Sequence, residues 1–218
     1  MSVAAQREAT PVADAGSFAA ASGATAAQVG ELERYRQLLA EWNARMNLVG
    51  PATLPDFWNR HAWDSAQLLR LAPEALTWAD LGAGAGLPGV VLAVLGKGRA
   101  GFHVHLVESR AKRSRFLAEA VRELGLPATV HHARAEALDL KVDSVTARAC
   151  APLARLLGYA RPYLQQGAIG LFLKGQDVAS ELEEATRYWE FEAEVVPSLS
   201  DERGRIVKLR RLRRARRA

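Results

Sequence analysis

The chain has 218 residues, 49% of them hydrophobic, enough for one ordinary domain with a substantial core plus an appendage. Its one cysteine, Cys150, excludes an intramolecular disulfide and points to a reducing compartment. No apolar stretch approaches the ~20 residues that span a bilayer, and the amino terminus lacks the basic start and apolar block of a secretory signal, so the expected location is the cytoplasm, with no membrane partner. The formal charge of +5 is unevenly placed: Arg203 to Ala218 holds nine Lys or Arg and no acid, which leaves the remainder at about −4. Such a run suits a polyanion such as RNA, or is a solvated end.

Residues 1–24, rich in Ala, Ser, Gly and Thr, are expected to be disordered or to carry one weak helix around Phe18. Residues 25–75 form a helical extension. Thr25 and Gln28 have the spacing of a capping box, and Val29, Leu32, Tyr35, Leu38, Leu39 and Trp42 recur at helical spacing. Asn47 and Gly50-Pro51 are expected to close that helix, and "LPDFWNRHAWDSAQLLRLA" adds one or two more. From residue 76 the pattern changes. "ALTWADL" is a short apolar strand, followed by a glycine-rich turn and a helix from about Leu87 to Leu95. "FHVHLVE" is a second strand, with Ser109 capping a helix to Leu124; "PATVHHA" and "VDSVTARA" are the third and fourth. A helix from Pro152 to Gln166, the strand "AIGLFLKG" and a helix from Val178 to Tyr188 follow. "EFEAEVVP" and "GRIVKLRR" close the domain near residue 210, with no helix between them, and residues 211–218 form a basic tail. Strands alternating with helices predict an α/β fold with a doubly wound, mostly parallel seven-stranded sheet. The final pair predicts one antiparallel strand at its edge.

In such a sheet the ligand lies beyond the carboxyl ends of the strands, near the first strand–helix turn. There the chain reads "DLGAGAGLPG", and Gly84, Gly86 and Gly89 match G-x-G-x-x-G. An acid about 20 residues on holds ribose hydroxyls in such sites, and Glu108 ends the second strand in "LVESR". A helix-terminal acid favoured by the dipole is the structural alternative. NAD and S-adenosylmethionine both fit this much. Asp80, two residues before Gly82, suits a cationic amino group or sulfonium better than a pyrophosphate. Arg134 to Leu138, "RAEAL", follows the third strand, where methyltransferases commonly place a polar group beside the adenine. Both features favour S-adenosylmethionine.

The motifs "EWNARMNLV", "RHAWDS", "DLGAGAGLPG", "LVESRAKRSRFL", "ARAE", "VTARACAPL" and "LKG", in this order from about Tyr35 to Leu209, resemble the RsmG (GidB) family. The resemblance implies a Rossmann-like class I methyltransferase fold. It also implies transfer of a methyl group from S-adenosylmethionine to N7 of a guanine in 16S ribosomal RNA of the small subunit. By the same resemblance Gly82 and Leu87 are cofactor contacts, joining Asp80, Gly84, Gly86 and Glu108. Ala135 and Glu136 flank the adenine, and Arg148 in "TARA" faces cofactor and substrate as a positioning group. Glu108 is often Asp in the family, position 150 is more often a larger apolar residue, and the Arg-rich end is unusual.

The end of the fourth strand bears on the acceptor. "TARACAP" lacks the Asn/Asp-Pro-Pro-aromatic run of amine methylation. Cys150 stands where a nucleophile for pyrimidine carbon methylation would be, although a small buried apolar role is the commoner one for a free cysteine. Guanine N7 has a lone pair and no proton to lose, so it needs alignment rather than a general base. Candidate RNA contacts are Arg60 and His61 in the helical extension, Lys112, Arg113 and Arg115 after Glu108, Arg148, Lys174 and the tail; Asp64, three residues from His61, is expected to orient it or Arg60. His131 and His132 point to opposite faces of a strand, and no metal is expected. The readings from other classes are a non-catalytic RNA-binding or ribosome-assembly protein on the same scaffold and an NAD-dependent oxidoreductase.

Overall fold

The computed structural model describes residues 12–215; what the sequence suggests for residues 1–11 and 216–218 lies outside the described residues. Helix α1, Ala15–Ser22, starts with a reciprocal cap in which the Ser17 N–H donates to Asp14 Oδ1 at 2.8 Å and the Asp14 N–H to Ser17 Oγ at 3.0 Å. It is docked rather than loose, because Phe18 is fully buried against Trp58 with ring centroids 5.3 Å apart. Helix α2, Ala26–Asn43, has the Thr25–Gln28 capping box, and Gln28 Nε2 also donates to the Leu95 carbonyl at 3.0 Å. The helix ends earlier than Asn47: Asn43 Oδ1 accepts the N–H groups of Leu48 and Val49 at 2.8 and 3.0 Å and turns the chain. Next comes a π-helical stretch, Trp58–Trp63, running into α3, Asp64–Ala66, and α4, Leu68–Leu71.

The alternating part is β1 Thr77–Leu81, α5 Gly89–Gly96, β2 His103–Glu108, α6 Ala111–Leu124, β3 Ala128–His132, β4 Ser144–Arg148, α7 Leu153–Gln165, β5 Ile169–Lys174, α8 Val178–Thr186, β6 Trp189–Pro197 and β7 Arg205–Arg214. The seven strands are ordered β3-β2-β1-β4-β5-β7-β6. The first five pair in parallel, and β7 pairs antiparallel to both β5 and β6. The antiparallel strand is therefore not at the edge. The β6–β7 hairpin inserts its second strand beside β5 and leaves β6 outermost. Ser109 does not cap α6 either: the Glu108 carboxylate accepts the Arg110 N–H at 2.7 Å, and Ser114 Oγ donates to the Glu108 carbonyl at 3.1 Å.

Side chains alternate across each strand, and each face has its own core. Trp78, Leu106 and Val104 pack with α2, α5 and α6 and with the amino-terminal helices; Ala79, Leu81, Val145 and Phe172 pack with α7 and α8. The basic segment is split by this arrangement. Leu209 and Leu212 are buried in the second core, and the register of β7 runs through Arg214, opposite Trp189.

Candidate functional site

The switch in strand order lies between β1 and β4, and at the carboxyl ends of β1, β2, β3 and β4 four loops converge. The β1 turn carries Gly82, Gly84 and Gly86 at φ +67°, +54° and +82°. In this left-handed region a side chain is strained. Space is short as well: a Cβ on Gly82 would stand 2.6 Å from Cys150 Sγ, and one on Gly86 2.5 Å from Val90 Cγ2. The neighbour responsible at Gly82 is delivered by β4. Ala149, a non-glycine residue at φ +50°, bends the chain just after Arg148 and brings Cys150 back over the turn.

The two predicted carboxylates sit on either side of this turn. Glu108 is buried; Oε2 accepts the Gly84 N–H at 3.1 Å and Oε1 the Arg110 N–H at 2.7 Å. Each oxygen keeps a lone pair, so a diol is still within its capacity. The Ala133 N–H donates to the Glu108 carbonyl at 3.2 Å and ties the β3 loop to the same corner. Asp80 is completely buried beneath the start of α5. Its Oδ2 accepts the Gly89 N–H at 2.9 Å, and its Oδ1 has no hydrogen-bond partner. Burial raises its pKa to about 7, against the lowering effects of the Gly89 N–H and the Arg148 charge. A buried carboxylate oxygen without a donor, beside a backbone cradle that admits no side chain, fits a ligand bearing a cationic group. The residues present fit S-adenosylmethionine on that ground.

Other predicted residues take more varied places. Ala135 and Glu136 lie in a short 3₁₀ turn, Ala135–Ala137, after β3; the Ala135 carbonyl accepts Tyr163 Oη at 2.9 Å, and the exposed Glu136 is 3.7 Å from Arg134. Leu87 is buried in the first core. Arg148 ends β4 and reaches into the helical extension, donating to the Arg60 carbonyl at 2.9 Å, to Asp64 Oδ2 at 3.2 Å and to His61 Nδ1 at 3.1 Å. The expectation that Asp64 orients Arg60 or His61 is thus corrected: among the described residues its cationic partner is Arg148, and Ser200 Oγ also donates to it at 2.7 Å.

The RNA candidates divide. Lys112 and Arg115 are exposed and Arg113 lies over the turn, its guanidinium 3.7 Å from where a Gly84 Cβ would be. His61 is not on a surface: it is buried, bonded through Nε2 to Thr53 Oγ1 at 2.9 Å, and its pKa is pushed down to about 3 by burial and then by Arg148 and Arg60. Arg60 is committed to Asp201 at 2.6 Å, and Lys174 donates to Glu181 at 2.6 Å and to the Ala151 carbonyl at 2.9 Å. Cys150 has its thiol pKa raised by burial and by the Asp80 and Glu108 charges. Tyr35 was not anticipated here. Its hydroxyl donates to the Ala85 carbonyl inside the turn, and α2 thereby buttresses the loop. Among the described residues no group of three or more His, Cys, Asp or Glu is disposed to hold a metal ion, and no helix is long and apolar enough to cross a membrane.

An open sheet of this order, with a glycine turn after β1 and an acid closing β2, defines a Rossmann-like class I methyltransferase of the kind that uses S-adenosylmethionine. MtNAS, solved in complex with S-adenosylmethionine, aligns with a TM-score of 0.55 at 15% identity, covering 90% of this chain and 83% of that one. The fibrillarin/Nop5p complex aligns with a TM-score of 0.52 at 16% identity, covering 69% and 82%; both likenesses are of fold. Residues 28–207 match the family described as rRNA small subunit methyltransferase G (GidB), and the chain belongs to that family. The Ribosomal RNA small subunit methyltransferase G of Caulobacter vibrioides (strain NA1000 / CB15N) is 64% identical over 205 residues, 94% of this chain and 95% of that one. The protein of that name from Methylorubrum populi is 50% identical over 186 residues, 84% and 88%. Membership in a family of methyltransferases sets aside the NAD-dependent oxidoreductase reading.

Proposed function

We propose that this protein transfers the methyl group of S-adenosylmethionine to N7 of a guanine in 16S ribosomal RNA, presented as RNA or within the small subunit or its precursor. The bound cofactor supplies a methyl group made electrophilic by the sulfonium. Glu108 accepts from the ribose, Asp80 faces the cationic amino group, and the 3₁₀ turn at Ala135 and Glu136 flanks the adenine. Arg148, held by Asp64 and His61, positions the base at the end of β4. With the cofactor held by Asp80, Glu108 and the turn at Ala135, the N7 lone pair would take the methyl group as the S–C bond breaks, the electron pair would leave with sulfur, and the ring would keep the positive charge. No proton is removed, so no side chain has to serve as a base.

The observation that carries N7 over a pyrimidine carbon is the state of Cys150. A carbon acceptor needs a thiolate, whereas this thiol is packed on the glycine turn with its pKa raised. The N7 edge is inaccessible in the deep, narrow groove of an A-form helix, so the target belongs to a loop or a distorted segment.

The test is transfer of labelled methyl to small-subunit RNA, both free and within the small subunit or its precursor, followed by borohydride and aniline treatment, which cleaves at a guanine carrying the fixed charge. One new cleavage site is expected; it persists with Cys150→Ser and fades with Arg148→Ala. Methylated RNA that resists cleavage, or an inactive Cys150→Ser that still binds cofactor and RNA, overturns the N7 assignment. Absence of any transfer favours the non-catalytic scaffold.

A further inference from the structure

A cavity of about 690 Å³ lies far from the glycine turn, where α7 leads into β5, and three arginines line it: Arg210, Arg211 and Arg213. The opposite wall includes Gln165, Gly167 and Ile169. Its position follows from strand direction. β5 starts at Ile169 here and ends at Lys174 near the cofactor end, and β7 runs the other way, with Arg205 opposite Lys174 and Leu209 opposite Gly170. Every residue of β7 beyond Leu209 is carried towards the amino-terminal end of the parallel strands. Five residue steps along β5 amount to roughly 17 Å, so the arginines and the reacting centre occupy opposite ends of the sheet.

The cavity is built by an irregularity. A straight strand would send Arg210 and Arg211 to opposite faces, but the register against β6 shifts between Glu190 and Glu192, and Arg211 has φ +57°. Bulges re-aim side chains in this way, and a non-glycine residue held left-handed is a cost the surrounding structure sustains. Among the described residues no acid lines it. Among the described residues only Arg211 of the three has a carboxylate partner, Glu192 at 2.7 Å, and both of those side chains are more than half exposed. An ion pair so exposed is worth little and exchanges readily. Arginine forks match phosphate oxygens bidentately, and the sequence adds Arg216 and Arg217 just beyond.

We propose that this arginine cavity grips the phosphodiester backbone of the substrate RNA at a segment remote from the target guanine, so that the RNA is held at both ends of the sheet. The assignment rests on the reading of the chain as an RNA methyltransferase and adds a second, sequence-independent contact that anchors the substrate without touching the reaction. Membrane surface is the poorer match, because Leu209 and Leu212 are buried in the core and offer nothing to insert.

Truncation at Arg210 would be a poor test, since it also removes the buried Leu212 and the strand residues opposite Trp189. The informative protein carries Arg210→Gln, Arg211→Gln and Arg213→Gln; a second, with Lys at all three, keeps the charge. Binding to full-length small-subunit RNA is measured across a potassium chloride series, with methyl-transfer kinetics on that RNA and on a short hairpin carrying only the target. With three contacts at about 0.7 each, the log–log salt slope should shrink by about two in the Gln protein and stay near wild type in the Lys protein. KM for the long RNA should rise at least tenfold, with kcat, cofactor affinity and KM for the hairpin unchanged. An unchanged slope and KM on long RNA, in a wild type that does transfer methyl, overturns the grip while leaving the function intact. Equal loss on the hairpin overturns its remoteness. A wild type that transfers no methyl to this RNA or to the small subunit and its precursor fails the functional reading instead, and the slope still decides whether the cavity binds RNA.

Discussion

Asp80 and Gly82 show how tightly the glycine turn is specified. At Gly82 any side chain meets two obstacles, a left-handed backbone and the Cys150 sulfur. Gly82→Ala should abolish cofactor binding measured by calorimetry and destabilise the fold by about 1–3 kcal/mol. Adding Cys150→Ala removes the sulfur but not the strain, so stability should recover only in part. Asp80 makes a prediction about pH. Its folded pKa, about 7, lies above the ordinary 3.8. Its stabilising share is thus complete below pH 3.8 and is lost as pH rises towards 7, where burial opposes the charge that the unfolded chain carries freely. Asp80→Asn keeps an acceptor for the Gly89 N–H and should therefore gain thermal stability over wild type progressively between about pH 4 and 7. A melting difference that is flat across that range would refute the assignment. A cationic ligand group opposite Oδ1 favours the ionised form, so cofactor binding at pH 6–7 should release a proton, seen as a dependence of calorimetric heat on buffer ionisation enthalpy.

At the scale of elements, the π-helical stretch, β4 and the β6–β7 loop are bound into one polar knot. Asp64 accepts from Arg148, Ser200 and Gln67 at 3.2, 2.7 and 3.3 Å. Asp64→Ala takes the carboxylate from Arg148 and Ser200, while Gln67 keeps the residue-64 carbonyl and Ser198 Oγ at 3.0 Å each, and should cost about 1–3 kcal/mol in urea unfolding. It should also lower methyl transfer while cofactor affinity holds, because Arg148 loses its orientation. His61 contributes with the opposite pH sign to Asp80. Its folded pKa, near 3, is below the ordinary 6.5, so its share of stability is present above pH 6.5 and is lost as pH falls towards 3; His61→Gln should flatten the acid limb of a stability–pH curve. Little of this knot could be read in the chain. Strands, α2 and the turn are local patterns, and periodicity with glycine punctuation exposed them. The partner of Arg148 lies 84 residues away, and no local pattern encodes such a pairing. His61 differs from its expected place for a related reason: residue type alone does not show that Thr53 and Arg148, distant in the chain or in the fold, enclose its ring. Ser109 has no capping role because α6 starts one residue later than its pattern suggests, with Arg110 at the N-cap and no side-chain cap.

For the molecule as a whole, charge and packing are less separable than the sequence suggests. The amino-terminal segment and the basic segment both read as appendages, yet Phe18 and Leu212 are buried. A buried side chain needs long-range context to be recognised, and a hairpin inserted beside β5 has the same local pattern as one added at the edge. Phe18→Ala should cost about 3–5 kcal/mol, measured by denaturant unfolding, as for any filled aromatic site in a core; a negligible change would mean that α1 is not part of the fold.

The loop between β6 and β7 ties the beginning of the chain to its end. Asn59 Nδ2 donates to the Ser200 carbonyl at 3.0 Å and Trp63 Nε1 to the Leu199 carbonyl at 3.3 Å, across 141 and 136 residues. During synthesis the helices that steady Arg148 emerge early and wait for the last hairpin. While only the residues up to α8 have left the ribosome, the glycine turn has all its residues, but Asp64 lacks the Ser200 hydroxyl and Asn59 and Trp63 lack their acceptors. Nascent chains stalled with residue 185 at the tunnel exit should be cut by protease around Trp58–Trp63, and those released at full length should resist; equal resistance of the two would show that the knot closes without the hairpin.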